Sequence, residues 1–234
     1  MKKYFLFLVI SVLFFGCDKV TTETFRSYVH TYFDYEELYL SVTESGYIDV
    51  RATTKTIGNW KSKGDEKKVY NDLCEKNNDL SYNTEKRYIV NPNPGAYYKG
   101  DILSIDVVSD KDFNADYPAG TSLGNIVRLI SASPNKYIQS GYKTEYDWAT
   151  SENENLLFSQ TYLGFENRGE HHPINKMLSE LIKEDLFLMG NGWERFICLL
   201  KFEQIPEFEK EHTFTVTINV SDGKVFEGEM AMSF

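Results

Sequence analysis

The sequence predicts a mainly β chain folded as an antiparallel sandwich. Three observations point there: apolar residues alternate with polar ones over several short runs, Gly, Pro and Asn signals separate those runs, and helical spacing is confined to a segment at about 174–188 and a short one at 66–76. An immunoglobulin-like or related antiparallel β-sandwich with one inserted helix, at about 174–188, follows from that pattern.

Leu38, Leu40 and Val42 alternate with Tyr39 and Ser41. Ile48, Val50 and Ala52 alternate with Asp49 and Arg51, and Glu44-Ser45-Gly46 lies between the two runs, which makes a hairpin. Residues 66–76 permit a short helix with Val69, Tyr70, Leu73 and Cys74 on one side. Further strands are expected at 87–90, 102–108, 126–131, 156–162 and 195–202. Ile174, Met177, Leu178, Leu181, Ile182 and Leu186 follow a helical period, and Gly190 with Gly192 would end that helix. The C-terminus gives the clearest hairpin. Phe214, Val216, Ile218 and Val220 share one face, Thr213, Thr215, Thr217 and Asn219 the other, and Asp222-Gly223 is a favoured two-residue turn. Asn91-Pro92-Asn93-Pro94-Gly95 bars helix and central strand, so the body is one domain over 25–234 or two small β domains split near 91–95.

Ahead of this body stands an address. Lys2 and Lys3 form a basic head, residues 4–15 an apolar run interrupted only by Ser11, and Gly16 a small residue before Cys17, the layout of a secretory signal peptide over 1–16. Such a run covers roughly 18 Å as a helix, against about 30 Å of bilayer hydrocarbon, so it does not span. Phe14-Phe15-Gly16-Cys17 resembles the lipobox of bacterial lipoproteins, which implies cleavage before Cys17 and acylation of its sulfur. Two or three long chains such as palmitate would anchor the protein durably. Residues 17–24 would then be a lipidated tether, reaching at most about 25 Å beyond the cysteine.

Loss of residues 1–16 removes Lys2 and Lys3 from 25 basic residues, leaving 23 against 35 acidic ones, a formal charge of −12. Nucleic acid is therefore excluded as a partner, because phosphate recognition rests on clustered Lys and Arg. Beyond Cys17 the chain holds only Cys74 and Cys198. Two separate buried thiols fit better than a disulfide, since Cys198 falls among Phe196, Leu200 and Phe202 as a small apolar filler.

Four constellations carry possible chemistry. Asp110, Asp112, Asn114 and Asp116 alternate as the ligands of a calcium loop do, but Ala115 stands where glycine is needed and Thr121 where a bidentate glutamate should close the shell. Gly120-Thr121-Ser122-Leu123-Gly124 matches the G-x-S-x-G string of hydrolases, yet Pro118 and Ala119 precede it and a strand follows, which is not a nucleophile elbow. Glu170-His171-His172 reads as a solvated loop, because adjacent histidines on extended backbone diverge. Carboxylate pairs such as Glu152 and Glu154 give no spacing across a substrate. No catalytic residue, cofactor or metal is assigned. Aromatic enrichment is the one hint of binding. Tyr97-Tyr98, Tyr142, Tyr146 and Trp148 neighbour polar turns, and Tyr142, Tyr146 and Trp148 are the ligand-binding candidates, able to stack on a sugar or to meet a protein.

The string from Ser109 to Leu123, SDKDFNADYPAGTSL, resembles one that recurs in small exported lipoproteins of Gram-negative gut bacteria, a family without an assigned activity. The resemblance implies an exported, acylated, β-rich protein and brings no catalytic residue with it. The functional expectation is a non-enzymatic envelope lipoprotein, anchored at Cys17 to the outer membrane, that serves in binding or assembly. Its partners would be the membrane through the anchor, and a glycan or a protein. A glycan-binding surface lipoprotein and a hydrolase are the alternatives.

Overall fold

The computed structural model describes residues 23–88, 95–148, 169–192 and 194–234. Eleven strands are seen among them: β1 (Glu23–Phe25), β2 (Val29–Val42), β3 (Ile48–Asn59), β4 (Asn83–Tyr88), β5 (Gly95–Tyr98), β6 (Ile102–Ser109), β7 (Val127–Ser133), β8 (His172–Met177), β9 (Phe196–Phe202), β10 (Glu211–Val220) and β11 (Val225–Ser233). Three helices join them: α1 (Gly64–Lys76), α2 (Asn135–Gln139) and α3 (Lys183–Leu186). The chain is mainly β, as its alternation predicts.

A six-stranded sheet, in the order β5-β2-β3-β9-β7-β8, lies against a three-stranded sheet, β11-β10-β6, while β1 and β4 pair separately. All pairs are antiparallel except β2 with β5. Both predicted hairpins are present, with Val42 opposite Ile48 and Asn219 opposite Val225. The core between the sheets holds Val50, Leu129 and Cys198 from the larger one and Val107, Phe214, Val216 and Ile218 from the smaller. The alternate face of β10 carries Thr213, Thr215, Thr217 and Asn219, each only partly covered. This is the period-2 segregation expected of a strand covered on one side.

The outer face of the large sheet is also covered. There, Tyr28, Val29 and Tyr32 of β2 and the preceding turn pack with Tyr70 and Cys74 of α1 and with Tyr137 and Ile138 of α2. Farther along, Ile130, Ala132, Phe196 and Leu199 pack with Trp148. Burial on both faces explains why β7 and β9 read as nearly continuous apolar runs and not as alternation. Helix α1 approaches β3 closely at Gly58, where a β-carbon would lie 2.8 Å from the Glu66 carbonyl oxygen. Both cysteines are free and buried, Cys74 in α1 and Cys198 in β9, as predicted. Phe196 departs from the expected arrangement. A register shift between Val50 and Arg51 accompanies its placement on the outer face, away from Cys198 and Leu200.

Two expectations are corrected. The helix expected over 174–188 is divided: Ile174 to Met177 belong to β8, Leu178–Glu180 form a 3-10 turn, and only Lys183–Leu186 are α-helical. The unpaired edge of β7 offered backbone partners that outweighed a weak helical period, and Ile182, which that helix would have buried, is 53% exposed. Pro173 is tolerated because β8 is an edge strand. The two-domain alternative fails too. β2 and β3 hydrogen-bond in one sheet with β5 and β9, so strands from both sides of 91–95 share a core. The prolines of that linker, the strand expected at 156–162 and the leader lie outside the described residues.

Candidate functional site

A cavity of about 300 Å³ opens where the chain enters the body, between β1, the start of β2, the end of β3 and α1. Its apolar wall is Phe25, Trp60 and the ring of His30. Phe25 lies edge-on to Trp60 at 5.2 Å and tilted over His30 at 4.8 Å. Its polar wall is a hydrogen-bonded set. The Tyr70 hydroxyl donates to the Val29 carbonyl at 2.8 Å, so its single proton is committed and the Ser27 hydroxyl, 2.5 Å away, donates to Tyr70. Lys67 donates to the Trp60 carbonyl at 2.7 Å and lies 4.7 Å from the Tyr70 ring centroid.

Asp79 closes the inner end. Both its oxygens are used: Oδ1 accepts from the Tyr28 N–H at 2.7 Å and the Tyr142 hydroxyl at 2.8 Å, Oδ2 from the Val29 N–H at 2.8 Å. Burial raises this carboxyl to about 6 against the pull of those hydrogen bonds. Burial lowers His30 to about 4, with the positive charge of Lys61 adding to the effect. Burial, then the charge of Asp79, pushes the Cys74 thiol up to about 11. At neutral pH the cavity therefore presents a neutral imidazole and an un-ionised thiol. A thiol held so far from its thiolate is a poor nucleophile, and a cavity of this size with an aromatic wall and a few fixed polar groups is suited to holding a small molecule.

The residues singled out by sequence lie elsewhere. Trp148 is 4% exposed among Ile130, Ala132, Phe196 and Leu199, with its Nε1 donating to the His171 carbonyl at 3.1 Å. Tyr146 packs edge-on to it at 5.1 Å. Tyr142 is half-buried against Tyr82 and Tyr137 and gives its hydroxyl to Asp79. Tyr97 and Tyr98 are core residues of β5. These aromatics turn inward because the outer face of the large sheet needs apolar cover, so they form no exposed row on which a sugar could stack.

The residues of the calcium-like spacing, to which no metal was assigned, are engaged one by one with backbone. Asp110 Oδ1 accepts from the Thr213 N–H at 2.7 Å and Asp112 Oδ1 from the Ala119 N–H at 2.8 Å; Asn114 Oδ1 accepts from the N–H groups of Asp116 and Tyr117. Asp110 ties down β10, Asp112 the turn at Ala119 and Asn114 its own turn, and among the described residues no group of three or more His, Cys, Asp or Glu could hold a metal ion. Ser122 donates its hydroxyl proton to Asp106 and not to a histidine. His171 and His172 do diverge, but into the protein and not into a solvated loop: His171 Nε2 meets the Tyr97 hydroxyl at 2.7 Å, and His172 Nε2 donates to the Thr144 carbonyl at 2.8 Å. A buried pair of Ser109 and His212, 2.7 Å apart, was not singled out in sequence; His212 is locked by a second hydrogen bond to the Glu209 carbonyl.

The cavity as a whole was not legible in advance, because Ser27 and His30, Tyr70, and Asp79 come from three separate segments. The local signal is Tyr70 with Cys74 on one side of α1. No helix among the described residues is long and apolar enough to cross a membrane. No family model, curated protein or solved structure matches the chain.

Proposed function

We propose that the chain is an exported lipoprotein, held to the outer membrane by acyl chains on Cys17, whose β-sandwich serves as a non-enzymatic binding component of the cell envelope. The observation that carries this reading is the leader: Lys2-Lys3, the apolar run 4–15, and Gly16-Cys17. Asp18 to Thr22 then separate Cys17 from β1, and the cavity beside β1 is the candidate ligand site, with Phe25 and Trp60 to cover an apolar body and Ser27, Lys67 and Asn71 to orient a polar end. The raised thiol and the lowered imidazole favour binding over covalent chemistry at this place.

Fractionation of a Gram-negative host that expresses the chain tests the reading. The wild-type chain is expected in the outer-membrane fraction and extracted only by detergent. Cys17→Ser should abolish that partition. Equal membrane partition of the two chains would overturn the proposal.

A further inference from the structure

The end of the sandwich opposite the cavity carries an unusual pair of side chains. Ile205 is 73% exposed and Phe208 62%, and both stand in the connection between β9 and β10. That connection is not slack. The Glu203 N–H donates to the Ile126 carbonyl at 2.9 Å and the Glu207 N–H to the Phe113 carbonyl at 3.0 Å, His212 holds the Glu209 carbonyl at 2.9 Å, and the Phe234 N–H holds the Lys210 carbonyl at 3.1 Å. Two large apolar groups are thus fixed in water by a loop that is pinned at four points. Apolar surface kept out on a pinned backbone needs little ordering before it is covered.

The surroundings select the partner. Residues 110–117 lie against residues 203–211 through the Glu207 to Phe113 hydrogen bond and an ion pair between Lys111 and Glu209. Together the two loops carry Asp110, Asp112, Asp116, Glu203, Glu207, Glu209 and Glu211 against Lys111 and Lys210. A second copy of this end, or an anionic lipid surface, would bring negative charge onto negative charge. A basic protein surface would not.

We propose that Ile205 and Phe208, within this acidic rim, form a docking surface for a protein partner whose apolar pocket is flanked by Lys and Arg. The topology sets where the surface lies. The chain enters at β1, beside Val29, whereas β9 leaves for this loop at the far end of the sheet, where Ile48 pairs with Leu200. The 14 residues of β2 between those ends span about 40 Å. On the anchored reading proposed above, which this placement rests on, the docking surface lies at the end of the body remote from β1, the element nearest Cys17 in sequence.

Selection of twelve-residue peptides from a random phage-displayed library on the purified full chain tests the proposal. Enriched peptides are expected to combine Lys or Arg with aromatic or aliphatic residues and to bind more weakly as salt rises. The double substitution Ile205→Ser with Phe208→Ser, exposed and harmless to the core, should weaken them tenfold or more. Measuring the same peptides on the Cys17→Ser chain separates docking from anchoring, because docking should be unchanged there. Three results would overturn the proposal: enriched peptides that the double variant binds equally well, self-association that the double variant abolishes, or binding to phosphatidylcholine vesicles that it abolishes. Absence of any enrichment would overturn it as well.

Discussion

Replacing Asp79 by asparagine should change how stability depends on pH, and the structure sets the size and sign of that change. The carboxyl is fully buried and its two oxygens accept three hydrogen bonds, from the Tyr28 and Val29 N–H groups and the Tyr142 hydroxyl. Burial outweighs these and raises the group from 3.8 to about 6. At about 1.36 kcal/mol per pKa unit the difference corresponds to about 3 kcal/mol. Because the folded chain binds this proton more tightly than the unfolded chain, the contribution is complete below pH 3.8, falls as pH rises, and is gone above about pH 6. Asparagine cannot titrate. Urea unfolding of both chains, followed by tryptophan fluorescence from about pH 4 to about pH 7, is expected to show the wild-type chain losing about 2–3 kcal/mol relative to Asp79→Asn across that interval. A stability difference that stays constant over the interval would refute the argument, because Asp79 would then carry the same proton affinity folded and unfolded.

Other expectations follow from single contacts. Asp34 accepts from Lys99 at 2.6 Å and Lys224 at 2.8 Å, joining the two sheets; burial opposes its ionisation but these hydrogen bonds outweigh it and lower its pKa. Asp34→Asn should therefore cost about 1 kcal/mol near neutral pH, less in 1 M salt, and progressively less as pH falls below 3.8, as read by urea unfolding. Gly190 has φ +92° and a β-carbon there would press on the Phe196 carbonyl oxygen and lie 3.1 Å from Ile197 Cα. Gly190→Ala is expected to cost at least about 2 kcal/mol, visible as a lower melting temperature. Neither Cys74 nor Cys198 should react with a thiol reagent in the native chain, and both should react on unfolding; a disulfide-linked peptide in a non-reducing digest would contradict their separate burial.

What the sequence disclosed follows from how local each feature is. The β10–β11 hairpin was legible because Phe214, Val216, Ile218 and Val220 keep one face of a ten-residue strand and Asp222-Gly223 supplies the turn, all within one stretch of chain. Helix α1 was legible from the spacing of Tyr70, Leu73 and Cys74. The segment at 174–188 misled because spacing cannot weigh a neighbouring strand: β7 had an edge to fill, and Ile174 filled it. Trp148 misled for a related reason. Polar neighbours in sequence suggested a surface turn, whereas its ring is buried by Ile130 and Phe196 from strands far along the chain. Apart from Tyr70 and Cys74 on one side of α1, the cavity was hidden, since Asp79 gains its meaning only from the N–H groups of Tyr28 and Val29, some fifty residues earlier.

Intact mass of the chain extracted from membranes tests the central claim most directly. The account expects a polypeptide that begins at Cys17, lacks residues 1–16, and carries the added mass of a diacylglyceryl group, with or without a third acyl chain. A chain that retains residues 1–16, or one that begins at an unmodified Cys17, would contradict it.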